Sequence, residues 1–259
     1  MFTLRTGKKL FVKLSPKTDN DVFLGEFAGL KAMGDTKTIL VPQALHHDNL
    51  KGPRAGSWIA MEHIDMAGSV NQERLGTQLA QMHLAEPTRL EEGKGQFGFE
   101  VDNTIGSTPQ INDWTEDWVE FLRDKRLWPQ IKRTNDVTFM RMGETVLSNR
   151  LDSFFADVKV KPSVLHGDLW SGNVASNQKG EPVIFDPACY HGHHEAEFGM
   201  SWSANFTGAF YGAYHDVIPK EPGFDERLDL YTLYHYLNHF NIFGGSYYSS
   251  CERLLKKFA

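Results

Sequence analysis

One polar segment of this sequence combines residue types and a spacing that suit phosphoryl transfer. The segment runs from His166 to Asn173 (HGDLWSGN), and Asp186 follows at the end of the apolar run Val183 to Phe185. Transfer of a phosphoryl group needs a carboxylate that orients or deprotonates the attacking hydroxyl, and oxygen ligands for the metal ion that neutralises the phosphates. The pattern therefore predicts Asp168 as the catalytic base, with Asn173 and Asp186 as ligands of Mg²⁺.

The spacing within this segment separates the catalytic interpretation from that of an ordinary loop. Asp and Asn in loops cap helices or close turns more often than they catalyse, and each residue alone would be interpreted in that way. Here Asp168 precedes Asn173 by five residues, as in the kinase catalytic-loop pattern H-x-D-x-x-x-x-N, and Asp186 takes the place of the later metal-binding aspartate. The order of the residues favours a kinase site. We expect His166 to hold the loop through hydrogen bonds and not to transfer protons.

The upstream part of the chain supplies the cationic half of such a site. Kinases hold the ATP phosphates with a strand lysine that pairs with a glutamate on the following helix. Lys13 lies in the apolar run Phe11 to Leu14, and Glu26 lies in the helix predicted next. A strand lysine alone is usually a solvated surface residue, so the prediction depends on its order relative to Glu26.

A further segment has the position of the linker between two kinase lobes. Met61 and Glu62 lie at the end of a predicted strand, Ile64 lies just beyond it, and all three precede the helical part of the chain. We expect the backbone of this linker to receive the adenine edge of ATP.

The elements that must position these residues are at first mainly strands. The predicted strands are Phe2 to Arg5, Leu10 to Leu14, Ile39 to Val41 and Ser57 to Glu62, and one helix contains Phe23, Phe27 and Leu30 after capping residues Asp19 to Asp21.

Beyond Gly68 the apolar periodicity is mostly helical. Predicted helices contain Leu75 to Met82, Trp114 to Pro129, Met142 to Phe154 and Ala196 to the C-terminus with a break at Gly244-Gly245, while Gly93 to Pro109 is a predicted loop and Val164-Leu165 and Val183 to Phe185 are short strands. This order predicts an α+β, two-lobed protein-kinase-like fold with the site in the cleft. Residues 1–65 form the predicted ATP-binding lobe, and residues 66–259 the predicted catalytic and substrate-binding lobe.

Composition narrows the classes of partner. The 259 residues carry 41% hydrophobic side chains and a formal net charge of −6, which suffices for a core and argues against a general nucleic-acid or membrane-surface binder. Cys189 and Cys251 are the two cysteines of the sequence, too few for a disulfide scaffold. With no apolar run of signal-peptide or membrane-span length, we expect a cytoplasmic protein whose partners are small molecules.

Two motifs resemble the signatures of the fructosamine and ketosamine kinase family. They are HGDLWSGN, in which Trp170 follows Asp168-Leu169, and Phe185 to Tyr190 (FDPACY). The stretch Phe97 to Trp114 is also similar to that family, and unlike aminoglycoside or choline kinases. The resemblance extends over nearly the whole chain.

The resemblance implies an activity and a role for each motif residue. The activity is ATP- and Mg²⁺-dependent phosphorylation of the sugar 3-hydroxyl of ketoamines (fructosamine or ribulosamine), as small molecules or on glycated protein lysines, with deglycation as the outcome. Asp168 is then the base, Asn173 and Asp186 bind Mg²⁺, and Lys13 with Glu26 positions the phosphates. Trp170 is a candidate substrate contact, with a core position as the alternative. The resemblance does not fix the oligomeric state.

Departures from the family pattern leave two alternatives open. Only twelve residues precede Lys13, so we expect the glycine-rich loop over the phosphates to be missing, from a truncated or an impaired chain. Glu197, expected with His166 to support the catalytic loop, stands where the family usually has aspartate, and His194 where arginine is common. The alternatives are a kinase for an aminoglycoside or choline-like compound, and a catalytically impaired binding relative.

A cluster of histidines invites a competing interpretation as a transition-metal site. It contains His191, His193, His194 and Glu195, but adjacent side chains are expected to diverge and the zinc pattern H-E-x-x-H is not present. We expect these imidazoles to bond to backbone or to meet solvent.

Overall fold

The smaller part of the molecule is built on a four-stranded antiparallel sheet. The computed structural model describes residues 2–16, 21–52, 55–86 and 95–259. The sheet has the order β1-β2-β4-β3, and its strands are β1 (Phe2–Thr3), β2 (Lys9–Ser15), β3 (Ala44–Asn49) and β4 (Ser57–Glu62). Lys13 on the central strand β2 lies opposite Ile59 of β4. The first helix, α1 (Asp21–Asp35), contacts β3 and β4 of this sheet.

The larger part is mainly helical. Its helices are α2 (Gln72–Leu84), α3 (Trp118–Phe121), α4 (Trp128–Arg133), α5 (Val137–Asn149), α6 (Ser201–Ala204), α7 (Gly208–Val217), α8 (Phe224–Phe243) and α9 (Tyr248–Phe258), with a π-helical segment (Leu122–Leu127) joining α3 to α4. Short 3₁₀ segments lie at Leu151–Phe155, Ser171–Asn173, His194–Met200 and Gly245–Tyr247. Among the described residues, no helix combines the length and hydrophobicity needed to span a bilayer.

Three short antiparallel strand pairs lie in the larger part of the molecule. They are formed by β5 (Asn103–Ile105) with β6 (Thr108–Gln110), β7 (Ser163–Leu165) with β10 (Tyr190–Gly192), and β8 (Val174–Ser176) with β9 (Pro182–Ile184). The segment 166–173 leaves β7 for β8, and the segment 185–189 leaves β9 for β10. Because both segments leave neighbouring strand pairs, their polar residues are brought to one place.

Two glycines let α1 approach the larger part closely. A Cβ atom on Gly25 would lie 2.6 Å from Cβ of Asn103, and one on Gly29 would lie 2.7 Å from Cβ of Cys189 and 3.1 Å from a ring carbon of Pro187. These separations are too short for a side chain, so α1 can lie this close only with glycine at both positions. Glu26 stands between them, and its position relative to the Asp186 segment depends on this packing.

We therefore expect Gly29→Ala to lower the free energy of unfolding by about 1–3 kcal/mol, the usual cost of overpacking, and to lower activity. The matched control is Gly34→Ala on the same helix, because a Cβ there meets nothing within 4 Å, and alanine should be neutral or up to about 1 kcal/mol stabilising. Urea unfolding of both variants measures the difference. Equal stability of the two variants would show that the close approach of α1 is not required.

Several predicted elements differ from the observed ones. Ile39 to Val41 is buried but forms only one isolated bridge, from Leu40 to Val183, because Pro42 follows and cannot donate to a ladder. The strand instead lies at β3, whose polar sequence suits a sheet edge. The predicted loop from Gly93 to Pro109 contains β5 and the start of β6, a hairpin too short to show a pattern. Gly93, Asp19 and Asn20 lie outside the described residues.

The predicted helix from Trp114 to Pro129 is displaced toward the C-terminus. It begins at Trp118, where Asp117 caps it by accepting a hydrogen bond from the Glu120 amide at 2.8 Å. It continues past Pro129 because this proline lies in the first turn of α4, just after the π-helical segment, where its missing N–H is tolerated. The predicted break at Gly244-Gly245 is confirmed, since Gly244 has a φ of 83° and ends α8.

Candidate active site

The predicted catalytic residues meet in one cavity between the two parts of the molecule. Its volume is about 280 Å³, and its lining includes Lys13, Glu26, Asp168, Asn173 and Asp186. These residues come from β2, from α1 and from the segments 166–173 and 185–189. The structure thus brings together all five residues that the kinase pattern selected.

Lys13 bridges two carboxylates across the cleft. Its Nζ donates to Glu26 Oε1 at 2.8 Å and also to Oδ1 of Asp186. Burial alone would lower the pKa of Lys13, but the attraction and hydrogen bonds of Glu26 and Asp186 outweigh it and raise that pKa. The lysine is therefore held as a cation, directed at the place where phosphate charge has to be neutralised.

The two catalytic segments adopt backbone conformations that few residues tolerate. Gly167 has a φ of 80°, and a Cβ there would lie 2.2 Å from the carbonyl oxygen of Ala188, so only glycine fits. Asp186 has a φ of 59°, a left-handed conformation that Asp tolerates better than most residues. Such positions concentrate at functional sites.

His166 ties the two segments together without being an acid or base. It is fully buried, its Nε2 donates to the carbonyl of Phe185 at 2.8 Å, and its Nδ1 accepts from the Asp168 amide at 3.2 Å. Burial lowers its pKa, so the ring is neutral with the proton on Nε2. Its hydrogen bonds fix Asp168 relative to the Asp186 segment.

Glu197 holds the backbone of the segment 166–173 through hydrogen bonds. Its carboxylate accepts from the amides of His166 at 2.7 Å and Gly167 at 2.9 Å, and Nε2 of His83 lies 3.3 Å away. Burial would raise the pKa of Glu197, but the hydrogen bond and charge of His83 and the contacts with His166 lower it. The glutamate therefore has the reach to hold both amides.

His83 and Tyr214 are supporting residues that the sequence did not single out. His83 Nδ1 lies 2.7 Å from the hydroxyl of Tyr214, and both side chains are buried. Nε2 of His83 donates to the Glu197 carboxylate, and the Tyr214 hydroxyl on Nδ1 helps to fix the orientation of the ring. The sequence feature that could have indicated His83 is its position directly after Met82, at the end of the apolar stripe of α2.

The environment of Asp168 suits a general base. Burial, then the negative charges of Glu197 and Asp186, raise its pKa to about 7. A base is most effective when its pKa lies near the working pH, because it is then both available and sufficiently basic.

Asn173 and Asp186 have the chemistry of a magnesium site. Asn173 Nδ2 donates to the carbonyls of Asp168 at 2.9 Å and Asp186 at 3.4 Å, which leaves Oδ1 as the atom available to a cation. The Asp186 side chain is 42% exposed within the cleft. An amide oxygen and a carboxylate are hard oxygen ligands of the kind that Mg²⁺ prefers, so the residues present fit this ion.

A second cavity adjoins the first on the side of the sheet. It has a volume of about 260 Å³, and the predicted linker residues Met61, Glu62 and Ile64 line it together with Phe11 and Phe185. Lys13 and Asp186 line it as well. An apolar slot that ends at a lysine and a carboxylate has the character that a nucleotide requires, because its base is flat and apolar on its faces and its phosphates are charged.

A third cavity adjoins Asp168 on the opposite side. It has a volume of about 360 Å³, and Asp168 and Trp170 line both it and the central cavity. Trp170 is 39% exposed, so it lies at the surface of the cleft and not in the core. We call this third cavity, lined by Asp168, Trp170, Trp202, His239, Phe243 and Tyr247, the acceptor cavity.

The histidine cluster is brought together more closely than expected, yet the carboxylate of Glu195 is already engaged by Arg227. His193, His194 and Glu195 place one candidate ligand atom each within 4.8 Å of one another, so the expected divergence of the adjacent histidines was wrong. Both oxygens of Glu195 accept from Arg227, at 2.7 and 2.8 Å, and His193 Nδ1 lies 2.8 Å from the Tyr231 hydroxyl. His191 and His193 are buried and do not meet solvent. The arrangement is that of a buried ion pair with its neighbours.

A family model and the related proteins described below indicate the same family of kinases for this chain. The family model described as fructosamine kinase matches residues 1–259. A chloroplastic protein-ribulosamine 3-kinase of Arabidopsis thaliana is 50% identical over 250 residues, which cover 95% of this chain and 74% of that protein. A candidate fructosamine-3-kinase from Thermobifida fusca is 31% identical with a TM-score of 0.82, covering 98% of this chain and 86% of that one. A choline kinase of Streptococcus pneumoniae is 15% identical with a TM-score of 0.61, covering 98% and 86%, a likeness of fold alone.

Proposed function

Because the chain belongs to the fructosamine kinase family, we propose that it transfers the γ-phosphoryl group of ATP to the 3-hydroxyl of a ketoamine. The observation that carries the proposal is the position of Asp168, which lines both the central cavity beside Lys13 and Asp186 and the acceptor cavity. A hydroxyl presented from the acceptor cavity would meet the base and the phosphate at the same point.

The reaction requires one proton transfer and one exchange of bonds at phosphorus. The 3-hydroxyl oxygen forms a bond to the γ-phosphorus, the bond from that phosphorus to the bridging oxygen breaks, and ADP leaves with the electron pair. The hydroxyl proton passes to the Asp168 carboxylate, whose raised pKa favours its acceptance. His166 accepts from the backbone amide of this aspartate, and Glu197 holds the amides of the two residues that precede it. They act as positioning residues.

Phosphate charge is handled by residues from both parts of the molecule. Lys13, held by Glu26, would bind the phosphates as a cation. Asn173 and Asp186 would hold Mg²⁺, which when bound neutralises charge on the phosphates. The base of ATP would lie in the slot beside Met61, Glu62 and Ile64.

Nucleotide binding and catalysis are assigned to consecutive parts of the chain. We assign nucleotide binding to residues 1–65 and catalysis with acceptor binding to residues 66–259. The boundary is supported by Met66, which pairs with Asn177 of the β8–β9 turn and therefore belongs with the larger part. A cytoplasmic location is supported by the burial of both cysteines as free thiols, although the Arabidopsis relative is named as chloroplastic. Glycated protein lysines, as well as small ketoamines, are included among the proposed substrates.

The proposal is tested by release of ADP with three acceptors: ribulosyl-lysine, choline and an aminoglycoside. Magnesium-dependent ADP release is expected with ribulosyl-lysine, together with a phosphorylated ketoamine detected by mass spectrometry. Release with choline or the aminoglycoside instead would move the protein to another small-molecule kinase function. No release with any acceptor, from protein that still binds ATP, would favour a binding role.

The proposed base gives the activity a defined pH dependence. Asp168 must be ionised to accept the proton, and its pKa in the protein without a bound cation is raised to about 7; a cation nearby would reverse part of this upward shift. We therefore expect kcat/KM for the ketoamine to be constant above about pH 7. Below that pH it should fall, with a limiting slope of about tenfold per pH unit. Initial rates in buffers of constant ionic strength measure the profile. Activity that rises on acidification would contradict a carboxylate base.

A further inference from the structure

The outer wall of the acceptor cavity is an exposed group of aromatic rings. Trp202 of α6 is 42% exposed and Phe243 at the end of α8 is 65% exposed. The Trp202 ring lies 5.2 Å from that of His239 and 6.2 Å from that of Tyr247, and Phe243 lies 6.3 Å from Tyr247. Large exposed apolar side chains that form one patch beside a catalytic group usually mark a binding surface.

This wall is almost free of charge. Among the described residues that line the acceptor cavity, Asp168 is the sole carboxylate, and neither Lys nor Arg is present. His239 donates from Nδ1 to the carbonyl of His235 at 2.8 Å, and burial lowers its pKa, so that its ring is neutral. A cation entering this cavity would meet one carboxylate and several π faces, and no positive side chain to repel it.

The acceptor of the proposed reaction carries a cation close to the reacting hydroxyl. In a ketoamine the secondary amine, protonated near neutral pH, is separated from the 3-hydroxyl oxygen by four bonds, a span of at most about 5 Å. With the hydroxyl at Asp168, an ammonium directed into the acceptor cavity would lie beside Trp170, which lines that cavity together with Asp168. The chain attached to the amine would then continue along the cavity toward the exposed Phe243.

We propose that this aromatic wall binds the amine-bearing arm of the ketoamine, with the π faces of Trp170 and Trp202 on the ammonium and Phe243 and Tyr247 on the aliphatic chain. The inference rests on the proposed function and specifies its substrate class: N-alkylated ketoamines with a cationic secondary amine and an aliphatic arm. The arm leaves the cavity at an exposed rim, so the same site accepts a lysine side chain that is part of a larger protein.

The test compares two matched acceptors, ribulosyl-butylamine and 1-O-butyl-ribulose, which differ in whether an ammonium or a neutral ether oxygen joins sugar and arm. Trp202→Ala should raise KM for the amine about tenfold, the size of a partly desolvated cation–π contact, with little change for the ether. Trp202→Phe should recover most of the loss. KM for ATP and kcat should be unchanged, as should all constants of the control Val137→Ala, a 75% exposed residue at the start of α5.

The outcomes separate this inference from the proposed function. Wild-type turnover of ribulosyl-butylamine with equal losses for amine and ether in Trp202→Ala, or with no loss, would overturn recognition of the ammonium while leaving the kinase function in place. Absence of turnover with any ribulosyl compound would overturn the proposed function. In that case the wall is tested without catalysis, by NMR titration of wild type and Trp202→Ala with N-methylbutylammonium and butyl methyl ether. Equal affinity of the wild type for both compounds would then contradict the inference.

Discussion

Replacement of Asp168 by asparagine is expected to lower kcat for ketoamine phosphorylation between about a hundredfold and ten thousandfold, the usual contribution of a general base. Asparagine retains the size of the side chain but cannot accept the hydroxyl proton. ATP affinity should change little, because the phosphates are assigned to Lys13 and the metal ligands. Steady-state ADP release and nucleotide titration measure the two effects.

The same substitution should stabilise the protein at alkaline pH. The pKa of Asp168 is raised to about 7 in the folded protein, above the value of about 3.9 for an unfolded chain. The folded state therefore disfavours the ionised carboxylate, and this cost to stability develops as pH rises from the unfolded to the folded pKa. We expect the difference in free energy of unfolding between Asp168→Asn and wild type to grow by about 2 kcal/mol between about pH 5 and pH 8.

A control variant accompanies the measurements on Asp168→Asn. Asp113→Asn is the control, since Asp113 is exposed and paired with Lys125 at 2.7 Å on the surface, and its activity should equal that of the wild type. Urea unfolding at both pH values gives the free energies. An Asp168→Asn variant that turns over ketoamine within severalfold of wild type would show that another group accepts the proton.

Replacement of Asp186 by alanine should abolish magnesium-dependent nucleotide binding and reduce activity by about a thousandfold or more, because charge neutralisation is most of what such a site contributes. The variant removes one of the two proposed metal ligands and also one of the two carboxylates that hold Lys13. Titration of ATP with and without Mg²⁺ should show that the magnesium-dependent gain in affinity disappears, while the residual binding persists.

Asp229→Ala is the matched control, because Asp229 forms an ion pair with Lys257 at 2.6 Å on α8 and α9, outside the three cavities. Its nucleotide binding should equal that of the wild type. A magnesium-dependent affinity retained in Asp186→Ala would reassign the metal ligands. Elemental analysis of His193→Ala should likewise show no loss of a bound metal, since Arg227 occupies both oxygens of Glu195.

Much of the chemistry could be predicted from the sequence because it depends on chain order. The residues from His166 to Asn173, Asp186, Lys13 and Glu26 were selected by their spacing, and the structure brings them into one cavity. β2 and β4 were predicted correctly, since their apolar runs are local signals. The edge strand β3 was not predicted, because an edge strand can carry polar residues, and the polar residues of β3 give no apolar pattern.

The supporting and specificity residues could not be predicted in the same way. His83 and Tyr214 act on the catalytic segment through Glu197, and the contact between His83 and Glu197 joins residues 114 positions apart. The aromatic wall likewise combines Trp170, Trp202, Phe243 and Tyr247, which come from separate elements and share no motif. Their common position at one cavity follows from the packing of α6 and α8 beside the segment 166–173.

The sequence by itself determined which reactive groups the chain carries and in what order, because strand and loop patterns depend on neighbouring residues. Only the tertiary structure decided how those groups behave. The pKa of Asp168 is raised by burial and by carboxylates that are distant in sequence, and Lys13 stays charged because α1 and the Asp186 segment each bring it a carboxylate. Electrostatic energies depend on separation and solvent exposure in space, and neither quantity can be obtained from the order of residues along the chain.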